Sequence, residues 1–133
     1  MSETINALDA LLGASTDVEE EVFIKRLGTH FRVKGLSGED IDDLKEQCTY
    51  YVGKGNQRKK QTNEEELGRL LIATSCVNPD FSDAKLLKHY GAVDAADCVQ
   101  KALLAGEVAK LSHAILTASG FDDDEDEIEA VKN

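Results

Sequence analysis

Hydrophobic residues fall along the chain in two periods, and the changes of period mark the elements. Near the start Ile5, Leu8, Leu11 and Leu12 recur at helical spacing, with Thr4 placed to cap a short amphipathic helix and Gly13 to stop it. Isolated helices shorter than about 12 residues are marginal in water, so this stripe must find either the body of its own chain or another molecule. The acidic, small-residue stretch 14–21 separates it from the rest of the chain and makes it an arm. From Val22 to Leu36 the period drops to two: Val22 and Ile24 alternate with Phe23 and Lys25, and Phe31 and Val33 alternate with His30, Arg32 and Lys34. That alternation predicts a β-hairpin turning at Gly28. A hairpin alone is barely stable, so one face must lie against helices.

The remainder reads as helix. Ser37 can cap a helix with Ile41, Leu44, Cys48 and Tyr51 on one face, stapled by Leu36 against Ile41. Thr62 and Glu65 have capping-box spacing and open a second helix with Leu67, Leu70, Leu71, Ile72, Cys76 and Val77, ended by Asn78 and Pro79. Its C-terminal half is apolar nearly all round, which predicts the central position. Phe81 and Leu86 bracket Ser82 in another staple, starting a short helix with Leu87 and Tyr90 that stops at Gly91. Val93 and Asp94 start the next, carrying Val99, Ala102 and Leu103. The last runs from about Glu107, with Val108, Leu111 and Ile115 on one face, to Gly120, where Phe121 folds back on Leu116 in a Schellman motif. The expected class is therefore α+β and mostly helical: an N-terminal helical arm, one antiparallel hairpin, then about five helices in a small bundle. Residues 1–20 form arm and linker, 21–121 one globular domain, and 122–133 an acidic, mobile tail.

Charge narrows the partners. The 133 residues hold 15 basic and 26 acidic side chains, a net charge of -11, and seven of the acids crowd into 122–133 beside one Lys132. Such a field repels phosphate and anionic lipid, which argues against nucleic-acid and membrane partners. No apolar run approaches the ~18 residues a bilayer requires. The three cysteines, Cys48, Cys76 and Cys98, match no disulfide or metal spacing, and the start is polar and acidic, which points to a reducing cytoplasm. Aromatic residues are 5% of the chain and Trp is missing, leaving few anchors for a deep small-molecule pocket.

Candidate chemistry is thin. The cysteines sit in helical apolar patterns, as small buried hydrophobes do, and no glycine-rich turn announces a nucleophile. His30, His89 and His113 are far apart and form no zinc-binding pair. Asp122, Asp124 and Asp126 imitate a calcium loop, but Glu127 stands where its sharp turn needs Gly and Asn133 where its bidentate Glu should be. The run GKGNQRKK from Gly53 to Lys60 lacks the Walker spacing and reads as a flexible, solvated loop between two helices. A nucleic-acid patch there, flanked by Tyr50 and Tyr51, is the competing reading. No catalytic residue, metal or cofactor is expected. For the arm two readings stand side by side, packing on its own domain or docking onto a neighbouring subunit or client as a helix in a groove.

Several stretches, in their order, resemble one family. They are INALDALL (Ile5 to Leu12), EVFIKRLGTHFRVKGLSGEDIDDLKEQC (Glu21 to Cys48), VNPDFSDAKLLKHYGA (Val77 to Ala92) and LLAGEVAKLSHAILTASGF (Leu103 to Phe121). Their succession, running through most of the chain and closing on Gly106, Glu107, Leu111, Ser112, Ile115, Ser119, Gly120 and Phe121, is similar to the XkdN-like tail assembly chaperones of phages and prophages with long-tailed virions. One departure is Ala105 where the family pattern has Pro. The resemblance implies a non-enzymatic protein of the host bacterial cytoplasm that binds the tape measure protein, keeps it soluble until tail tube subunits polymerise around it, and is absent from the virion. It also implies self-association and a longer frameshifted form, with the tail tube protein an indirect partner. The side chains expected to meet partners are Ile5, Leu8, Leu11, Leu12, Phe81, Tyr90, Leu116 and Phe121. The alternative is a structural tail or baseplate accessory protein retained in the virion.

Overall fold

The computed structural model of the chain describes residues 6–14 and 17–121. These form six helices and two small antiparallel sheets, an α+β architecture dominated by helix, as the periodicity predicts. Strands β1 (Glu19–Ile24) and β2 (Thr29–Lys34) pair with Glu19 opposite Lys34 and Ile24 opposite Thr29. Gly28 closes their turn at φ 65°, a left-handed conformation that glycine adopts without steric cost. Val22, Ile24, Phe31 and Val33 all turn to the core, so the period of two is the burial pattern. Burying each such side chain contributes roughly 1.5–3 kcal/mol, which is what holds the hairpin against its helices.

The helices are α1 (Ala7–Gly13), α2 (Gly38–Gln47), α3 (Glu64–Ser75), α4 (Ala84–Tyr90), α5 (Ala95–Ala102) and α6 (Ala105–Ala118). Their caps lie close to the expected positions, and each displacement has a local cause. Ser37 accepts from the Asp40 N–H at 3.1 Å, as the sequence suggests. The α3 cap is Asn63, accepting from the Glu66 N–H at 3.1 Å, because Thr62 is committed to a strand. Asp83 caps α4, while the Ser82 hydroxyl donates to the Asp80 carboxylate at 2.6 Å. At the far end of α6, Gly120 lies at φ 99°, the Phe121 N–H donates to the Leu116 carbonyl and the Gly120 N–H to that of Thr117, each at 3.0 Å. Those two bonds are the backbone of the expected Schellman motif.

Two segments differ from the expectation. Helix α2 ends at Gln47, and Tyr51 lies instead in strand β3 (Thr49–Val52), paired with β4 (Lys59–Thr62). The stretch Gly53 to Lys60 is thus the end of a second hairpin with one 3-10 turn, Gly55–Gln57, and not a loop between helices. Cys48 and Tyr51 continue the helical spacing of Ile41 and Leu44 by coincidence; the aromatic and β-branched run Tyr50, Tyr51, Val52 followed by two glycines was the competing signal. Likewise α3 stops at Ser75, and Cys76–Asn78 forms β5, which adds to β2 to give the sheet order β1-β2-β5.

Helix α3 is central, packed against α2, α5, α6 and strands β2 and β5, while α6 also lies on β1 and β2. Ile72, Leu111, Ile115, Val33 and Val99 are wholly enclosed between them. Close approach is made possible by glycine at two places. A Cβ on Gly68 of α3 would stand 3.2 Å from Ser112 Oγ of α6, and that hydroxyl donates to the Gly68 carbonyl at 3.3 Å. A Cβ on Gly35 would fall 2.4 Å from the Ala118 carbonyl oxygen. Around that contact the Gly35 N–H donates to the Val18 carbonyl and the Leu36 N–H to Ser119 Oγ, each at 2.8 Å.

Gly35→Ala must separate backbone from backbone, so it should destabilise the protein by about 2 kcal/mol or more in urea unfolding. Ser75 is the contrasting case: its hydroxyl is wholly buried and, among the described residues, has no hydrogen-bond partner. Ser75→Ala removes an uncompensated polar group, and the same measurement should give a stability unchanged or raised by up to about 1 kcal/mol.

Candidate protein-interaction surface

Helix α1 is built locally. The Asn6 side chain accepts from the Leu8 N–H at 2.8 Å and the Asp9 N–H at 3.4 Å, and the Ala10 N–H donates to the Asn6 carbonyl at 2.9 Å. Thr4 and Ile5, expected as cap and first apolar residue, lie outside the described residues, as does the acidic segment 122–133 with its calcium-loop imitation. Leu8, Leu11 and Leu12, spaced i, i+3 and i+4, form one face and are 64%, 75% and 75% exposed. No residue of α1 is buried, so the arm is not part of the body's core.

The other expected contact residues are dispersed. Phe81 is a correction: at 2% exposure it belongs to the core, tilted against Phe31 with ring centroids 6.2 Å apart. With Asp83 as the cap of α4, Phe81 stands one residue too early for the expected staple and packs into the core instead. Tyr90, at the end of α4, is partly exposed and meets the His89 ring edge-on at 4.7 Å. Leu116 is half-buried against the core, and Phe121 is about half exposed just beyond Gly120. Exposed apolar residues that were not expected to meet partners include Val93, just before the α5 cap Asp94, and Leu104, the residue before α6.

The β3–β4 hairpin is the other projecting feature. It is fastened at its base, where the Asn63 N–H donates to the Cys48 carbonyl at 2.9 Å, and its remaining residues from Tyr50 to Gln61 are exposed. Tyr51 stands opposite Lys60, and the Arg58 guanidinium lies 4.4 Å over the Tyr51 ring. On the other face Tyr50 stands opposite Gln61, its hydroxyl 3.1 Å from Gln61 Oε1, and Val52 opposite Lys59.

On the body itself, Arg26 and Glu107 form a bidentate pair, with both donor–acceptor distances 2.7 Å, and Arg26 also donates to the Ala102 carbonyl at 3.1 Å. The hydrogen bond from Arg26 holds the Glu107 carboxyl below its ordinary range, aided by the Leu104 N–H at 2.8 Å. This clamp joins the β1–β2 turn to the start of α6. Cys48, Cys76 and Cys98 are free and buried. Burial, above all, pushes Cys48 up to about 11 and Cys76 to about 12, and also raises Cys98. Among the described residues no group of His, Cys, Asp and Glu side chains is arranged to hold a metal ion, and no helix is long and apolar enough to cross a membrane.

These features define a small α+β protein whose distinctive chemistry lies on projecting surfaces, an apolar arm and a basic hairpin. Residues 8–132 match the family model of the Phage XkdN-like tail assembly chaperone protein, and the chain belongs to that family. It is 33% identical to YqbN of Bacillus subtilis (strain 168) over 106 residues, 77% of this chain and 71% of that one. It is 29% identical over 101 residues to the phage-like element PBSX protein XkdN of the same bacterium, 74% of this chain and 68% of that one. The crystal structure of YqbN shares the fold, with a TM-score of 0.60 and 19% identity across 90% of this chain and all (100%) of that one.

The buried thiols make a pH prediction. An unfolded thiol releases its proton near 9, whereas the native ones hold theirs to about 11 and 12, so the native state binds more protons in that interval. The thiols' contribution to stability should be constant below about pH 9 and fall as pH rises through that window. Cys76→Ala should flatten the decline in urea titrations. The native thiols should also react with a chromogenic disulfide reagent far more slowly than those of the unfolded chain.

Proposed function

We propose that the client of this tail assembly chaperone is the tape measure protein, the long helical chain that sets tail length, and that the chaperone keeps it soluble until tail tube subunits polymerise around it. The observation that carries this reading is the arm: three leucines on one helical face, left uncovered among the described residues. A long chain displaying apolar helical faces aggregates unless those faces are covered. Many copies of a protein with net charge -11 can cover them while mutual repulsion keeps the complex dispersed. Displacement by tube subunits requires each contact to be weak singly, the hold coming from multivalency. In this role the protein works in the bacterial cytoplasm and does not remain in the virion.

Coexpression is the direct test. The intact chain should raise the soluble fraction of tape measure protein and copurify with it. Leu8→Asp combined with Leu11→Asp should abolish most of that rescue while changing the melting temperature by less than about 2 °C, because the replaced side chains are exposed. No rescue and no copurification by the intact chain would remove the reading. Finding the chain in purified particles would favour a virion component instead.

A further inference from the structure

We infer that the β3–β4 hairpin is the acceptor for the α1 arm of a second copy of this chain. The inference is independent of the client's identity and stands on three observations. The first is charge. Residues 49–62 hold Lys54, Arg58, Lys59 and Lys60 and no acid, whereas residues 1–14 hold Glu3 and Asp9 and no base. None of the ion pairs among the described residues involves any of the four hairpin cations. A local excess of four positive charges within a chain of net -11 is therefore left without an acidic partner among the described residues, and the arm combines acid with an uncovered apolar face.

The second is apolar complementarity. One hairpin face carries the charged Arg58 guanidinium stacked on Tyr51, with Lys60 directly across. The opposite face presents Tyr50 and Val52, two residues apart on one strand, about half exposed, with Lys59 directly across from Val52. On α1, Leu8, Leu11 and Leu12 form the stripe and Asp9 flanks it. With the leucines over Tyr50 and Val52, one of the two directions in which the arm can lie brings Asp9 to the side of Lys59. The third is size: seven helical residues span about 10 Å and four strand residues about 13 Å, so the two are of similar length. Arm and acceptor are different surfaces, so the contact is heterologous and links copies in a row instead of closing a twofold dimer. Such a row supplies the multivalency that hold and release of a long client require.

The test uses the purified full chain without client, so its failure leaves the client reading standing. Sedimentation of the wild type should show association that grows with concentration and weakens with salt. An arm variant, Leu8→Asp/Leu11→Asp, and an acceptor variant, Tyr50→Ser/Lys59→Glu, should each lower the association constant by about tenfold or more. Mixed together, the two should form a one-to-one complex and nothing larger, because only one intact arm and one intact acceptor remain; this pairing also shows that both variants are folded. Adding Asp9→Lys to the wild-type arm should restore affinity for an acceptor carrying Lys59→Glu alone. A wild type monomeric at every concentration, variants that associate like the wild type, a mixture that does not pair, or association lost on nuclease treatment would each overturn the inference.

Discussion

The fold depends on one covered surface, the apolar face of the β1–β2 hairpin under α6 and α3. Two strands alone cannot remain ordered in water, and neither helix could bury its own stripe without them. Val22, Ile24, Phe31 and Val33 meet Ile72, Leu111 and Ile115 in a common core from which solvent is nearly excluded. Two polar contacts then set the position of α6 on the sheet. At its start the Arg26–Glu107 pair ties helix to turn, and on its side Lys110 Nζ donates to the Phe23 carbonyl at 2.6 Å. At its end Gly35 lets the chain after β2 pass against the Ala118 carbonyl. The edge strand β1 carries Glu19, Glu20 and Glu21 outward, which discourages unplanned strand pairing there.

The body leaves single apolar side chains exposed, Phe23, Val93 and Leu104 among them, but two groups of such residues stand clear of it. The α1 leucines stand on an arm that buries none of its own residues, and the β3–β4 tyrosines stand on a hairpin attached at one end. Both can be occupied or vacated without opening the core, which is the mechanical requirement of a protein that must hold another chain and later let it go. The net charge of -11 works in the same direction, since it opposes coalescence of copies of the chain.

The expected interaction residues met different fates for a common reason. Periodicity identifies an apolar face but not what lies opposite it. Leu8, Leu11 and Leu12, read as a stripe, remain outside; Leu116, read as a Schellman contact, is half-covered; and Phe81, read as a staple, is driven inward beside Phe31. The clamp between Arg26 and Glu107 was invisible in the sequence because its members are separated by 81 positions. The basic hairpin was hidden for another reason: its lysines are solvated whether the segment is loop or strand, so composition could not distinguish the two.

The order and type of the main elements were written in local chemistry. Alternation made β1 and β2, caps and glycines bounded the helices within a residue or two except at the end of α2, and the succession of stretches placed the chain among the tail assembly chaperones. Tertiary structure alone decided which apolar faces meet one another, that Cys76–Asn78 leaves α3 to join β2, and that Tyr50 and Tyr51 are lifted on a hairpin with their lysines. The physical reason is range. Capping bonds and side-chain period act within a few residues and can be read along the chain, whereas burial is a property of what the rest of the molecule brings to a surface.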